Sequence, residues 1–304
     1  MTTTIRDQLR ATLQTQVAPA FAPEVPIAQQ RLVLDGMGAA AALPEGLAVV
    51  QEPLAGMHAE RLTPADAGER GVLLYLHGGG YAMGSCTSHR ALVGRIAAAC
   101  GLSARVPEYR LAPEHRFPAA IDDALAAYRA LLAAGHRADE VIVAGDSAGG
   151  GLCAGLLVAL RDAGDPLPAA AILLSPFTDL TFTGESVQSR AEVDPWLSPA
   201  MLEPMIRLLA DEGDRRDPRA SPVFADLRGL PPLLIHVGDQ EILLSDSTRL
   251  AERAQAAGVA VEIEVWPELW HVFHFFAPLL PEANEALAKI GAFARARLAG
   301  GAAS

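Results

Sequence analysis

Several signals that would fix the location of a protein are missing from this sequence. Residues Met1 to Asp7 lack the basic region and the apolar core of a secretory signal. No run of 18 or more apolar residues is present that could span a bilayer. The sequence therefore predicts a cytoplasmic protein with no membrane partner.

Cysteine is scarce. Cys86, Cys100 and Cys153 have no metal-ligand spacing, and their odd number argues against a disulfide framework. Aspartate and histidine are scattered without the spacing of a zinc site. We therefore predict no metal site, and we expect Cys153 to be a small core residue.

Positive charge is in deficit, with 24 Lys and Arg against 36 Asp and Glu and a net charge of −12. This balance argues against nucleic acid or an anionic membrane surface as a partner. The sequence also contains no long run of like charges and no repeat of fixed period. Its 304 residues, 51% hydrophobic and 20% charged, indicate a globular chain that can bury one sizeable α/β core.

Strand-like apolar runs alternate with helix-like runs from residue 70 onward. This alternation predicts an α/β fold with a mostly parallel sheet and helices on both faces. The predicted strands lie near 72–76, 102–106, 141–144, 170–174, 232–237 and 260–266. The predicted helices lie near 88–100, 118–134, 148–163, 198–211, 245–257 and 282–298. Residues 46–62 are predicted to add antiparallel edge strands.

Two segments do not fit this alternation. Residues 1–45 contain helical stretches interrupted by prolines, and residues 177–220 insert a polar loop and a helix after a predicted strand. The remaining residues, 46–176 and 221–304, are predicted to form the two parts of the α/β core.

One hexapeptide, Gly145-Asp146-Ser147-Ala148-Gly149-Gly150, follows the apolar run 141–144. A serine between two glycines at a strand-to-helix turn fits a nucleophile elbow, in which the serine oxygen stands clear of the sheet. That oxygen would lie at the positive end of the next helix. The alternative interpretation is a glycine-rich loop that packs a helix close to a strand.

A second glycine-rich segment, His77-Gly78-Gly79-Gly80, follows the predicted strand 72–76. Three successive glycines expose backbone N–H groups with no side chains in the way, which suits an oxyanion hole. The alternative is a flexible turn. Because this segment is the usual partner of a nucleophile elbow, the pair favours catalysis at Ser147.

With these motifs the chain resembles the bacterial hormone-sensitive-lipase family of esterases, also called family IV, in its GDSAGG subgroup. Four further segments match that family in order: Tyr109–Glu114, Phe117–Ala120, Ser175-Pro176 and His271–Phe273. The resemblance implies an α/β-hydrolase fold with a helical cap, no cofactor, and hydrolysis of short- to medium-chain carboxylic esters through an acyl-enzyme.

In that family the segments that correspond to 1–45 and 177–220 form the cap over the active site. A cap of this kind would set the acyl-chain length and exclude water. The apolar candidates to line the pocket are Trp196, Leu197, Met201, Met205 and Leu209. Ordinary packing between cap and core is the alternative for each of them.

A catalytic serine needs a base, and His271 follows the last predicted strand. In α/β-hydrolases the order along the chain is serine, acid, histidine. The nearby alternative is His274. The family places its base before Val-Phe, which selects His271.

The acid is open between two carboxylates, Asp239 and Glu241, that follow the predicted strand 232–237. Either could accept a hydrogen bond from Nδ1 of the histidine. The family carries its acid about 30 residues before the histidine, so the resemblance favours Glu241. Asp239 is then expected to cap the following helix.

The resemblance assigns the oxyanion hole to the backbone N–H groups of Gly79, Gly80 and Ala148. The surrounding polar residues are expected to brace this loop and the elbow rather than to transfer protons. They are His77, Tyr109, Arg110, Glu114 and Asp146.

Other functions on the same fold remain open at this point. Amide, formamide or thioester hydrolysis would use the same triad. A non-catalytic small-molecule receptor is a further alternative, which the full set of serine, acid and histidine argues against. The family often forms homodimers through the edge of its last strand, here near 260–266, although the charges there could instead protect a free edge.

Overall fold

A single sheet of eight strands runs through the computed structural model, which describes residues 4–68 and 71–300. The strands are β1 (Ala48–Gln51), β2 (Ala59–Thr63), β3 (Val72–Leu76), β4 (Ser103–Pro107), β5 (Val141–Asp146), β6 (Ala170–Leu174), β7 (Leu233–Gly238) and β8 (Val261–Trp266). Their order in the sheet is β1-β2-β4-β3-β5-β6-β7-β8. Among the strands of the described residues only the pairs β1–β2 and β2–β4 are antiparallel, so the predicted mostly parallel sheet with an antiparallel edge is confirmed.

The central strands are mostly apolar because helices cover both faces of the sheet. Every residue of β3, β5, β6 and β7 is buried. Successive side chains of β3 point to opposite faces, so Leu73 and Tyr75 join one hydrophobic cluster while Leu74 and Leu76 join the other.

The α-helices within the described residues are α1 (Ile5–Thr12), α2 (Ile27–Ala40), α3 (Cys86–Cys100), α4 (Ala119–Ala133), α5 (Ala148–Ala163), α6 (Ser186–Ser189), α7 (Pro199–Leu209), α8 (Leu244–Ala256) and α9 (Pro281–Gly300). Those from α3 to α8 lie between the parallel strands. α3 and α9 pack on one face of the sheet, and α4, α5 and α8 pack on the other. Cys153 is fully buried in α5, as expected of a core residue.

The two segments outside the alternation meet each other and the core. Phe21 from the first segment lies 6.4 Å from Trp196 of the second, measured between ring centroids. The buried side chains of α7 join the same hydrophobic cluster as Phe21 and Leu34. This packing places both segments beside the residues that follow the parallel strands.

The site is positioned by the carboxyl ends of those strands. His77 follows β3, Ser147 follows β5, and Ser175 follows β6. Glu241 and His271 lie in the loops after β7 and β8. Ligands of open parallel sheets bind at this edge, where the loops after several strands come together. Within the described residues no helix is both long enough and apolar enough to cross a membrane.

Candidate active site

A small apolar cavity, here named the inner cavity, opens at the carboxyl edge of the sheet. Its volume is about 60 Å³. The polar residues on its wall include Ser147, His271 and Asp146, together with Gly79 and Gly80. The structure therefore brings the predicted nucleophile, base and glycine loop to one place.

Ser147 stands at a sharp turn between β5 and α5. Its backbone has φ 53° and ψ −121°, a positive φ that costs energy in a residue with a side chain. The turn is held by a hydrogen bond from Ser147 N–H to the carbonyl oxygen of Leu174 at 2.8 Å. A side chain at Gly149 would overlap the carbonyl oxygen of Leu76, so glycine is required for this close approach.

His271 pairs with Glu241. The distance from His271 Nδ1 to Glu241 Oε2 is 2.7 Å, and both side chains are almost fully buried. The second oxygen, Oε1, accepts hydrogen bonds from Gly238 N–H at 2.7 Å and from the Ser175 hydroxyl at 2.8 Å. This network orients the carboxylate toward the imidazole.

Asp239, the alternative acid, does not contact His271 and does not cap a helix. Its Oδ1 accepts the N–H of Glu268 at 2.7 Å. The N-cap position of α8 is Leu243, and no side chain caps it. The predicted capping role was wrong because Asp239 faces the turn after β8 rather than the start of α8.

Ser175 is a site residue whose role the sequence did not reveal. It donates to Glu241 and accepts the N–H of Val272 at 3.1 Å, so it links the loops after β6, β7 and β8. Both Ser175 and Val272 have positive φ, 46° and 45°. The Ser175-Pro176 motif was the available signal, but the motif alone gives no partner for the hydroxyl.

Asp194 is a second residue that the sequence analysis missed. Its Oδ1 accepts the N–H groups of Trp196 and Leu197, and its Oδ2 accepts that of Ile242, all at 2.9 Å. Burial raises the pKa of this carboxyl to about 6, although the three hydrogen bonds oppose the rise. Asp194 thus ties the segment 177–220 to the residue next to Glu241.

The glycine loop has backbone conformations that favour glycine. Gly79 and Gly80 have φ of 116° and 62°. A side chain at Gly79 would overlap the carbonyl oxygen of Met83, so only glycine fits at this position. Ala148 is the first residue of α5, so its N–H lies at the positive end of that helix beside Ser147.

The elbow and the glycine loop are braced by buried polar groups. Asp146 accepts hydrogen bonds from the Tyr75 hydroxyl at 2.8 Å and from Gly78 N–H at 3.1 Å. His89, which the sequence analysis did not identify, lies 3.3 Å from the same carboxylate. Burial would raise the pKa of Asp146, but His89 and these donors hold it below its usual value.

His77 supports the loop as expected. Its ring stacks on Tyr109 at 4.3 Å, and the Tyr109 hydroxyl donates to its carbonyl oxygen at 2.6 Å. Burial, together with the neighbouring His89, lowers the pKa of His77 to about 3. The ring is therefore neutral at physiological pH.

Arg110 and Glu114 brace their surroundings in different ways. Arg110 binds Asp123 of α4 rather than the glycine loop. Glu114 binds Arg31 of α2, and Arg31 in turn donates to the carbonyl oxygen of Ala82 near that loop. The predicted bracing role thus fits Glu114 but not Arg110.

His274 lies outside the inner cavity. Its Nε2 is 3.2 Å from Nδ1 of His236, and the two rings stack. Burial lowers its pKa well below the usual value. Its position separates it from Ser147 and favours His271 as the base.

Apolar side chains complete the wall of the inner cavity. Four of the five predicted lining residues contribute to it: Trp196, Leu197, Met201 and Met205. Leu209 is buried in the core cluster and does not line it. Phe21, Leu34 and Leu202 also line the cavity, so residues of both 1–45 and 177–220 face it.

One group of three potential metal ligands was found among residues 4–68 and 71–300, and it lies away from this cavity. Ligand atoms of His58, Glu60 and Cys86 are within 4.8 Å of one another. Arg90 already binds both oxygens of Glu60, at 2.8 and 2.6 Å. The fixed positive charge of Arg90 opposes a metal ion there, so these residues are better explained as an ion pair beside a core cysteine.

Comparison with known proteins gives independent evidence on the family and the fold. A sequence model described as the alpha/beta hydrolase fold matches residues 73–275. An acetyl-hydrolase of Streptomyces hygroscopicus is 48% identical over 237 residues, which cover 78% of this chain and 79% of that protein.

Solved structures of related proteins superpose on nearly the whole of this chain. EstE5 superposes with a TM-score of 0.93 at 42% identity and covers 97% of this chain and 99% of its own. An esterase from the bacterial hormone-sensitive lipase family superposes with a TM-score of 0.92 at 40% identity, covering 97% and 98%.

Proposed function

This chain belongs to the alpha/beta hydrolase family, among its bacterial hormone-sensitive-lipase-like esterases, and from that membership we propose that it is a serine carboxylesterase with Ser147, His271 and Glu241 as its triad. The observation that carries the proposal is the buried pair of His271 and Glu241 beside a cavity shared with the strained Ser147. The similarity to an acetyl-hydrolase and to EstE5 supports ester hydrolysis, and the contacts within this chain support the roles of the three residues.

The first step is acylation. The Ser147 hydroxyl attacks the ester carbonyl carbon while Nε2 of His271 takes its proton. The resulting imidazolium is stabilised by Glu241, whose carboxylate lies 2.7 Å from Nδ1. His271 then gives the proton to the leaving alcohol, and the acyl group stays on Ser147.

The tetrahedral oxyanion needs donors that are already in place. The N–H groups of Gly79, Gly80 and Ala148 are the proposed donors, since these residues surround Ser147 at the carboxyl edge of the sheet. Each such donor contributes roughly 10²–10³-fold in rate.

Deacylation uses the same residues in reverse roles. Water enters, loses a proton to His271 and attacks the acyl-enzyme, and the acid leaves as Ser147 recovers its proton.

The segments 1–45 and 177–220 are proposed to act as the cap. They supply most of the apolar wall around a cavity of about 60 Å³. A cavity of this size favours short acyl groups. The name of the Streptomyces acetyl-hydrolase points to an acyl group of two carbons in that protein, which agrees with this preference.

A homodimer through β8 is proposed as the assembly. β8 is the last strand of the sheet, and Val265 on it is 46% exposed. Light scattering after size exclusion tests this: a dimer mass is expected for the wild type and a monomer mass for Val265→Pro, since proline removes a strand donor.

The test of the function is hydrolysis of p-nitrophenyl esters from acetate to palmitate. We expect the highest kcat/KM on the short esters and its loss in Ser147→Ala. Ser103→Ala removes a half-buried serine on β4, away from the cavity, and should behave like the wild type. A folded wild type that is inactive on every ester, or an active Ser147→Ala, would overturn the proposal.

A further inference from the structure

A second apolar cavity, here named the outer cavity, lies next to the inner one. Its volume is about 200 Å³. It runs between α2 and α3 and is closed by aromatic residues after β8, and its members outside the inner cavity include Met37, Ala91 and Phe276. It opens to solvent at Met37, which is 36% exposed.

Three side chains line both cavities and form the wall between them: Leu34, Trp196 and Phe275. The Trp196 ring stands edge-on to His271, with centroids 6.0 Å apart. Phe275 stands edge-on to His89 at 5.3 Å. The wall is therefore built beside the imidazole of the proposed base.

The wall and the outer cavity have fixed positions. Asp194 accepts the backbone N–H of Trp196, which holds the loop that carries the indole. On the far side, α2 crosses α3 so closely at Gly38 that a side chain there would overlap the backbone of Ser88. The space between these elements is thus bounded on one side by a hydrogen-bonded loop and on the other by a close helix crossing.

The chemistry of acylation tells which part of an ester points toward this wall. The leaving oxygen must lie within hydrogen-bond distance of the imidazole that protonates it, while the carbonyl oxygen lies at the oxyanion hole. The alcohol portion therefore extends past His271, where Trp196 and Phe275 stand.

From this arrangement we propose that Trp196 limits the length of the alcohol portion of an ester, and that the outer cavity takes up a longer aliphatic alcohol only when this wall is opened. The inference rests on the proposed esterase function and assigns a substrate class to it, esters of short aliphatic alcohols. The indole acts as a specificity-determining residue because its removal joins the two cavities.

Two ester series test the proposal. The first keeps the acetyl group and lengthens the alcohol from ethyl to octyl, with acid release followed in a pH-stat. The second keeps p-nitrophenol and lengthens the acyl group from acetate to octanoate. In Trp196→Ala we expect kcat/KM to rise about fourfold for each methylene that reaches the outer cavity in the first series, as burial of a methylene group implies. The profile of the second series should be unchanged.

Phe275→Ala opens the wall from its other side and should give the same shift. Phe224→Ala is the matched control, since it removes a half-buried aromatic residue that lines neither cavity and packs beside Arg216. It should keep the wild-type profile in both series. Thermal unfolding of each variant checks that it is folded.

The proposal is overturned if both opening variants are folded and active on ethyl acetate but keep the wild-type alcohol profile. It is equally overturned if the shift appears in the acyl series instead. A wild type that hydrolyses none of the esters contradicts the esterase function itself, so the two failures are distinguishable.

Discussion

The floor and the roof of the inner cavity are built by different forces. The floor consists of Ser147 and His271, which line the cavity, together with Glu241 and Ser175, which support His271 from behind. Hydrogen bonds of 2.7 to 2.8 Å join the buried groups at the ends of β6 to β8, and Ser147 stands on the strained turn after β5. The roof, formed by residues of 1–45 and 177–220, consists mainly of apolar side chains held by packing. Directional contacts fix atoms to within tenths of an ångström, whereas packing fixes a volume. We infer that the floor determines the chemistry and the roof determines which esters fit.

The largest expected effect on activity comes from removing the proposed catalytic base, His271, from the floor. In His271→Ala no group takes the proton of Ser147, so we expect kcat on p-nitrophenyl acetate to fall by at least about 10⁴-fold. Thermal unfolding should show a folded protein. The matched variant His274→Gln should stay within about tenfold of the wild type, because that ring contacts His236 instead of the cavity. A reversal of these two outcomes would show that the base is misassigned.

The next effect separates the two candidate acids. Glu241→Gln keeps the size of the side chain but removes the charge that stabilises the imidazolium, so we expect kcat to fall about 10³- to 10⁴-fold with little change in KM. Asp239→Asn should change kcat by less than about threefold, since Asp239 contacts the turn at Glu268. Steady-state kinetics on one short ester decides this, and equal losses in both variants would contradict the pairing of Glu241 with His271.

Asp194, the contact between roof and floor, should give a smaller effect on stability. Its pKa is raised to about 6 by burial, so the folded state holds its proton more tightly than the unfolded state does. This contribution to stability is fully present below the unfolded pKa and is lost as pH rises through about 6. Between pH 4.5 and 7.5 the loss is about 2 kcal/mol.

Urea unfolding at the two pH values measures this loss. The free energy of unfolding should fall less between pH 4.5 and 7.5 in Asp194→Asn than in the wild type, by about 2 kcal/mol. The absolute stability of the variant is not the readout, because an amide cannot accept the N–H of Ile242 as the carboxylate does. An identical pH dependence in the two proteins would contradict the raised pKa.

The smallest effect on kcat is expected from a substitution in the roof. Met201→Ala removes a buried side chain of the wall and should lower the free energy of unfolding by about 2 kcal/mol or more. Because Met201 takes no part in the hydrogen bonds that hold His271 and Glu241, kcat on p-nitrophenyl acetate should stay within about threefold. A larger loss of kcat would show that packing in the roof also positions the reacting groups.

Much of the floor could be predicted because local sequence determines it. The parallel strands were predicted within one or two residues, since the central ones are short, mostly apolar runs that must be buried on both faces. Ser147 and the glycine loop follow from backbone requirements that only certain residues meet. Their catalytic roles stay predictions until the kinetics are measured.

The contacts between distant loops could not be predicted from local sequence. Asp239 and Glu241 follow the same strand, and no local pattern separates them; the family resemblance favoured Glu241, and the path of the chain after β7 brings its carboxylate to His271. Ser175 finds its partner 66 residues away, and Asp194 finds Ile242 48 residues away. No local pattern encodes these pairs. Part of the apolar wall of the inner cavity was predicted from α7. Met201 and Met205 line the cavity as predicted, whereas Leu209, one turn farther along the helix, does not.

The most direct test of the central claim is covalent labelling of the nucleophile. A p-nitrophenyl alkylphosphonate transfers its phosphonyl group to an activated serine, and the adduct can be located by peptide mass spectrometry. We predict a burst of one p-nitrophenol per chain, one adduct on Ser147, and a rate of labelling that falls with kcat in His271→Ala and Glu241→Gln. An adduct on another residue, or no adduct in a preparation that hydrolyses esters, would contradict the account.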